Sequence, residues 1–183
     1  RVLFRSILFY GAPGTGKTLL AKAFVNEFQK RLGDQKQHQQ TGIFLYTPKG
    51  GDLKGKYVGE TEKNISKYFR CASERASKCD SKDRKYISVI FIDEIDSIAM
   101  SREGDTSGIT SSAVNALLQE MDGIQSNPNV VVMGATNYPW RLDEAILRRF
   151  DAKIMISMPT AADVAEQIKI EIARYIRKVL KAP

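Results

Sequence analysis

The sequence predicts an α/β fold built on a parallel sheet, and three observations carry that prediction. Five short runs, Ile7–Tyr10, Ile43–Tyr46, Ile87–Ile92, Val130–Ala135 and Ala152–Ile156, are apolar and rich in β-branched or aromatic residues, as buried strands require. Between them lie longer amphipathic segments with helical period. Strands alternating with helices of this length imply a five-stranded parallel sheet between helices, covered on both faces. In such a sheet, ligands bind at the carboxyl ends of the strands.

The elements follow in order. After the first strand comes "GAPGTGKT" (11–18), and then a helix in which Leu20, Phe24 and Phe28 share one face. "KRLGDQKQHQQTG" (30–42) is polar and aperiodic and reads as an exposed loop; His38 within it has no visible metal partner. Beyond the second strand, "GKYVGE" (55–60) leads into a helix that places Ile65, Phe69, Ala72 and Ala76 on one face. Val114, Leu117 and Met121 align in the same way after the third strand. The last segment, Ala161–Lys181, alternates Ile172, Tyr175, Ile176 and Val179 with Arg174, Arg177, Lys178 and Lys181. That is first an amphipathic helix and only second a basic patch.

Composition limits the function classes. With 183 residues, 43% hydrophobic and 27% charged, the chain is an ordinary globular unit with enough length for one sizeable core. No apolar run approaches the roughly 20 residues that span a bilayer, and "RVLFRSILFYGAPG" lacks a signal-peptide cleavage site, so an intracellular, cytoplasmic location is the expectation. Cys71 and Cys79 would lie about 12 Å apart along a shared helix, too far for a disulfide. The net charge of +7 is scattered, which suits a solvated surface better than a face for nucleic acid.

The chemistry starts at the glycine-rich turn. Phosphate oxygens must be held without side-chain bulk, and Gly11, Gly14 and Gly16 let backbone N–H groups close around them at a helix start. The nucleotide-binding set is Gly11, Ala12, Pro13, Gly14, Thr15, Gly16, Lys17, Thr18, Leu19 and Asp93. Lys17 is placed for the β- and γ-phosphates, and the Thr18 hydroxyl for Mg²⁺. "VIFIDEID" (89–96) ends a buried strand in acids, which is costly unless they work outside the sheet. Asp93 is the second magnesium residue, and Glu94 the base that polarises the attacking water. A water-activating acid beside the magnesium acid favours hydrolysis over phosphoryl transfer to a small molecule. Asp96 is assigned a helix cap.

The phosphate turn, "FIDEID", "GATN" (134–137) and "LDEAILRRFD" (142–151), in this order over nearly the whole chain, resemble the AAA ATPases of the AAA+ superfamily. That resemblance implies a P-loop NTPase that binds ATP and Mg²⁺, with residues 1–159 forming the large α/β subdomain and 160–183 the start of a reduced lid. It implies that Asn137 senses the γ-phosphate, that Arg148 and Arg149 are arginine fingers for a neighbouring subunit, and that like subunits form a ring, typically a hexamer. From the residues alone, surface ion pairs of those arginines with Asp143 or Glu144 are the alternative. "ATNYPW" and "GKYVGETEKN" are most similar to the katanin, spastin and ESCRT-disassembling branch. There, the loop carrying Lys56, Tyr57 and Val58 would grip a polypeptide in a central pore, the substrate being a protein polymer or complex. The glycines Gly55 and Gly59 would let it move, and a Tyr57 packed on its own domain is the alternative.

The pattern also departs from that family. Val164 stands where an arginine is usual, Ser111 and Ser112 replace an arginine pair, and only six residues precede the first strand. Two other functions compete: a nucleic-acid motor or loader drawing on the positive charge, and a nucleotide-regulated scaffold without turnover.

Overall fold

The computed structural model describes residues 5–33, 40–55, 57, 59–79, 84–101, 109–124 and 129–180. His38, Lys56, Val58 and Lys181 lie outside these residues. Five strands, β1 (Ser6–Tyr10), β2 (Gln40–Tyr46), β3 (Arg84–Ile92), β4 (Val130–Thr136) and β5 (Ala152–Met155), pair in the order β2-β3-β4-β1-β5. Every pairing is parallel. The connections run through the helices α1 (Lys17–Gly33), α2 (Gly50–Leu53), α3 (Glu60–Cys79), α4 (Ile109–Ile124) and α5 (Glu144–Arg149), and α6 (Ala161–Leu180) follows β5.

The period-2 alternation of the central strands sorts their side chains into two layers. Leu8, Ile90, Ile92, Val130 and Val132 face α3 and α4, where Ile65, Phe69, Ala72, Val114, Leu117 and Met121 are buried as their spacing predicts. Phe9, Val89, Phe91, Met133 and Ala135 face the other way and pack with Ala21 and Val25 of α1. Gly134 keeps β4 close to its cover, because a Cβ there would stand 3.0 Å from the Phe150 ring.

Three expectations need correction. The face of α1 that packs is Lys17–Ala21–Val25, whereas Leu20 and Phe24 are exposed and Phe24 stacks along Phe28. Small residues at a four-residue spacing bring the helix axis near the sheet, and that pulls Lys17 inward with them. The segment 30–42 is not a loop throughout: α1 continues to Gly33 and β2 starts at Gln40. β2 is an edge strand, so its first residues need only backbone partners, supplied by Arg84–Tyr86. β5, the other edge, is not buried, since Lys153, Ile154 and Met155 are exposed. Cys71 and Cys79 both lie on α3 as free, exposed thiols. Every described side chain of α6 is exposed, including the apolar stripe Val164, Ile168, Ile172, Tyr175, Ile176 and Val179.

Candidate functional site

The strand order brings three exits together. β4 lies between β1 and β3, and its register opposite Tyr10 and Ile92 sets the ends of all three strands side by side. From β1 the chain enters the turn at Gly11. A Cβ on Gly11 would lie 2.2 Å from the Ile156 carbonyl oxygen, because the Ile156 N–H donates to Tyr10 O at 2.8 Å and draws the β5 exit against the turn. At Gly14 (φ 77°) and Gly16 (φ 84°) the demand is conformational: both adopt the left-handed region, and a Cβ at either would meet nothing within 4 Å. Open space thus lies over the turn, while Ala12 and Pro13 are exposed beside it and Leu19 projects into solvent.

Lys17 is buried, and its ammonium donates to Gly11 O at 3.0 Å, Ala12 O at 2.7 Å and Thr15 Oγ1 at 3.3 Å. Thr15 in turn donates to Ala12 O at 3.0 Å, which closes the turn. Burial lowers the Lys17 pKa, and the Asp93 carboxylate opposes that shift. A desolvated cation held on neutral carbonyls is well placed to exchange them for anionic oxygens.

The β3 exit reaches the same place. The Thr18 hydroxyl donates to Asp93 Oδ2 at 2.6 Å, joining the α1 start to the end of β3 across 75 residues of sequence. Asp93 is anchored through its backbone: its N–H donates to Pro48 O at 3.2 Å, and its carbonyl accepts from Gly50 N–H at 2.7 Å. Glu94 follows, exposed, with φ 51° and ψ 45°. Among the described residues it is the one non-glycine with positive φ. That conformation costs about 1–2 kcal/mol for an L-residue, and strain of this kind gathers at functional sites. The Glu94 backbone N–H donates to Asp93 Oδ1 at 3.0 Å, which ties the start of this turn to the acid before it.

Asp96 does not cap a helix. The short 3₁₀ turn Ile95–Ser97 is capped at Glu94 without a side-chain bond, and Asp96 Oδ1 accepts from the Thr136 hydroxyl at 2.6 Å. Asn137, half-buried, follows Thr136 at the β4 exit, between the phosphate turn and the acids.

These residues fit a magnesium nucleotide. The left-handed glycines with open space above them can receive phosphate, Lys17 can pair with it, and the touching Thr18 hydroxyl and Asp93 carboxylate are the oxygen donors that Mg²⁺ takes alongside phosphate. Among the described residues, no cluster of three acidic, His or Cys side chains could hold a metal by itself.

Arg148 and Arg149 end α5, and both are exposed. Arg148 pairs with Glu144 one turn earlier, as one sequence-based alternative allows. Arg149 pairs with neither Asp143 nor Glu144. Its guanidinium grips the two oxygens of Asp122 on α4, with Nη2 to Oδ2 at 3.1 Å, and this carboxylate raises its pKa. Asp143 caps α5 instead, accepting from Ala145 N–H at 2.9 Å. Asp122 was missed by sequence reasoning because nothing local marks a partner 27 residues away.

Tyr57 is 75% exposed, which disposes of packing on its own domain. Its N–H donates to Glu60 Oε2 at 3.2 Å, at the start of α3. Gly55 is a close-approach glycine rather than a hinge, since a Cβ there would stand 2.0 Å from Glu60 Cβ, while Gly59 carries the left-handed φ of 84°.

The sequence model of the "ATPase family associated with various cellular activities (AAA)" matches residues 7–158. The chain is 38% identical over 175 residues to the "Proteasome-associated ATPase" of Salinispora tropica, which covers 94% of this chain and 28% of the relative. It is 41% identical over 165 residues to the "AAA ATPase forming ring-shaped complexes" of Micrococcus luteus, covering 88% and 26%. The "Putative 26S proteasome regulatory subunit homolog" of Methanothermobacter thermautotrophicus is 39% identical over 173 residues, covering 94% and 39%. The chain thus spans between about a quarter and two fifths of these relatives. Their names refer to proteasomes and rings, so they do not carry the narrower resemblance to the katanin, spastin and ESCRT-disassembling branch.

Proposed function

The chain belongs to the AAA family of ATPases, and from that premise we propose that it is the motor domain of a ring-forming protein that hydrolyses Mg·ATP to pull on protein substrates. The observation that carries this reading is the Thr18–Asp93 contact of 2.6 Å, because it unites the phosphate turn with the acidic strand end beside the strained Glu94. When bound, Mg·ATP supplies the phosphoryl group and the charge neutralisation that make the γ-phosphate transferable. The chain's part is positional and electrostatic. Lys17, now on the Gly11 and Ala12 carbonyls, would pair with phosphate oxygens, and Thr18 and Asp93 would hold the cation. Glu94 orients and polarises a water, and Asn137 lies where a terminal phosphate would be sensed.

Arg148 and Arg149 supply charge to the site of the next subunit in a ring of like subunits, which family resemblance gives as a hexamer. Residues 1–159 are the nucleotide-binding subdomain, and α6 begins a lid. Tyr57, with Lys56 and Val58 beside it, grips the substrate. The names of the relatives, which refer to association with a proteasome and to a proteasome regulatory subunit, favour action on proteins beside such an assembly over severing of a polymer.

The test is a pair of substitutions. Lys17→Ala should lose nucleotide binding with the fold retained, and Glu94→Gln should retain binding while hydrolysis falls by about 10² to 10⁴. Unchanged ATP affinity in Lys17→Ala, or parallel loss of binding and turnover in Glu94→Gln, would contradict the assignment.

A further inference from the structure

We propose that Thr136 and Asp96 are positioning residues that lock the exit of β4, and with it the Asn137 amide, against the turn that carries Glu94. The inference rests on the ATP-hydrolysing reading above and goes beyond it by naming what holds the phosphate-sensing Asn137 and the water-polarising Glu94 in mutual register.

The pairing of β4 with β3 ends at Gly134 opposite Ile92, before either strand reaches its functional residue. Past that point β4 is laddered to β1 alone, as far as Thr136 opposite Tyr10, and among the described residues no backbone hydrogen bond joins it to the turn of Glu94. The Thr136 side chain takes over. It is 1% exposed, and its hydroxyl donates to Asp96 Oδ1 at 2.6 Å while accepting the Tyr138 N–H at 2.9 Å. The acceptor bond folds the chain around Asn137, because its partners are the residues directly before and after that amide. The donor bond reaches Asp96, two residues beyond Glu94 and inside the 3₁₀ turn that Glu94 begins. One hydroxyl therefore ties the bend bearing Asn137 to the turn bearing Glu94.

The chemistry matches that role. A short O–H···O⁻ bond to a carboxylate is among the stronger and more directional protein hydrogen bonds. A β-branched side chain at a strand end is stiff at χ1, so the hydroxyl has little freedom to swing. Packing alone would accept valine at this buried position and would require no acid facing it. Without the hydroxyl, Asp96 loses its partner, the Tyr138 N–H loses its acceptor, and the two exits are no longer coupled. Neither Thr136 nor Asp96 is required to touch nucleotide.

The test uses the full chain with Mg²⁺ and either ATP or ADP, and measures both affinities, single-turnover hydrolysis and thermal unfolding. Thr136→Val removes the hydroxyl at constant shape, and Thr136→Ser restores it. Asp96→Ala, at a half-buried position, breaks the same bond from the other side and covers the case in which Thr136→Val folds poorly. The expected result for Thr136→Val and Asp96→Ala is ADP affinity within about twofold of wild type, preference for ATP over ADP reduced about tenfold, and hydrolysis slowed about 10- to 100-fold, the scale of one lost charged hydrogen bond. Thr136→Ser should return both quantities to near wild type. If wild type prefers ATP and Thr136→Val keeps that preference and rate, this proposal falls while the nucleotide reading stands. If both affinities fall together with the unfolding temperature, the pair is merely structural. A wild-type chain without ATP affinity would overturn the nucleotide reading and this proposal with it.

Discussion

Replacing Glu94 by glycine separates what the residue costs the fold from what it contributes to chemistry. Glu94 sits at φ 51°, ψ 45°, exposed, with no side-chain hydrogen bond or ion pair among the described residues. The left-handed conformation costs an L-residue about 1–2 kcal/mol. Glycine has no such cost but loses more backbone freedom on folding, by about 0.5–1 kcal/mol. The difference leaves Glu94→Gly between neutral and about 1.5 kcal/mol more stable than wild type, whereas Glu94→Gln keeps the strain and stays within about 0.5 kcal/mol. For a chain of this size each kcal/mol raises the midpoint by about 2–4 °C. Urea titration and calorimetry without nucleotide measure it, and both variants should hydrolyse ATP about 10² to 10⁴ more slowly. If Glu94→Gly were less stable than Glu94→Gln by more than about 1 kcal/mol, the side chain would be supporting the fold, and strain held for function would be the wrong account.

Three other perturbations probe the surroundings. Gly11→Ala sets a Cβ against the Ile156 carbonyl oxygen at 2.2 Å and should cost about 1–3 kcal/mol in urea unfolding, whereas Gly51→Ala, with open space at its Cβ, should be neutral or slightly stabilising. Equal effects would show that the β5 exit does not constrain the phosphate turn. Because burial depresses the Lys17 pKa from 10.5, the unfolded chain holds that proton at pH values where the folded chain releases it. The cost of the buried cation is therefore full below the folded value and is relieved as pH rises toward 10.5, so the stability of wild type relative to Lys17→Met should improve over that range. A flat difference would mean that Lys17 is not desolvated. Tyr57→Ala should leave stability and basal hydrolysis near wild type, since the ring is exposed, but abolish unfolding of a tagged protein substrate; Tyr57→Phe should be tolerated. Efficient unfolding by the alanine variant would remove Tyr57 from the substrate path.

The sequence made legible whatever depended on local pattern. Ile7–Tyr10 and Val130–Ala135 fall on β1 and β4 to within a residue, because central strands must be apolar on both faces. The start of β2 at Gln40 was not legible, since an edge strand can recruit polar residues through backbone bonds alone. The packed face of α1 was misjudged because Leu20 and Phe24 look like core, while the helix sits close to the sheet and buries Lys17, Ala21 and Val25 instead. At the site, residue types in "GAPGTGKT" and "FIDEID" announced a glycine turn at a helix start and acids at a strand end. Their closure through Thr18 and Asp93 follows from strand order. The left-handed Glu94 and the Asp96–Thr136 and Arg149–Asp122 pairs left no local signal, because each depends on segments that only the tertiary fold brings into contact.

The measurement that bears most directly on the proposed function is ATP hydrolysis per subunit as a function of protein concentration, with Arg148→Ala or Arg149→Ala subunits titrated into wild type. Both arginines are exposed at the end of α5, where Glu144 and Asp122 of the same chain pair with them, and a neighbour's phosphate would have to compete with those carboxylates. An arginine supplied in trans contributes about 10³ to 10⁵ in rate. The account predicts specific activity that climbs as rings assemble, and variant subunits that bind ATP normally yet depress their wild-type neighbours in proportion to their fraction. Constant specific activity from monomer to saturating concentration, with no effect of mixing, would contradict a site completed by the next subunit.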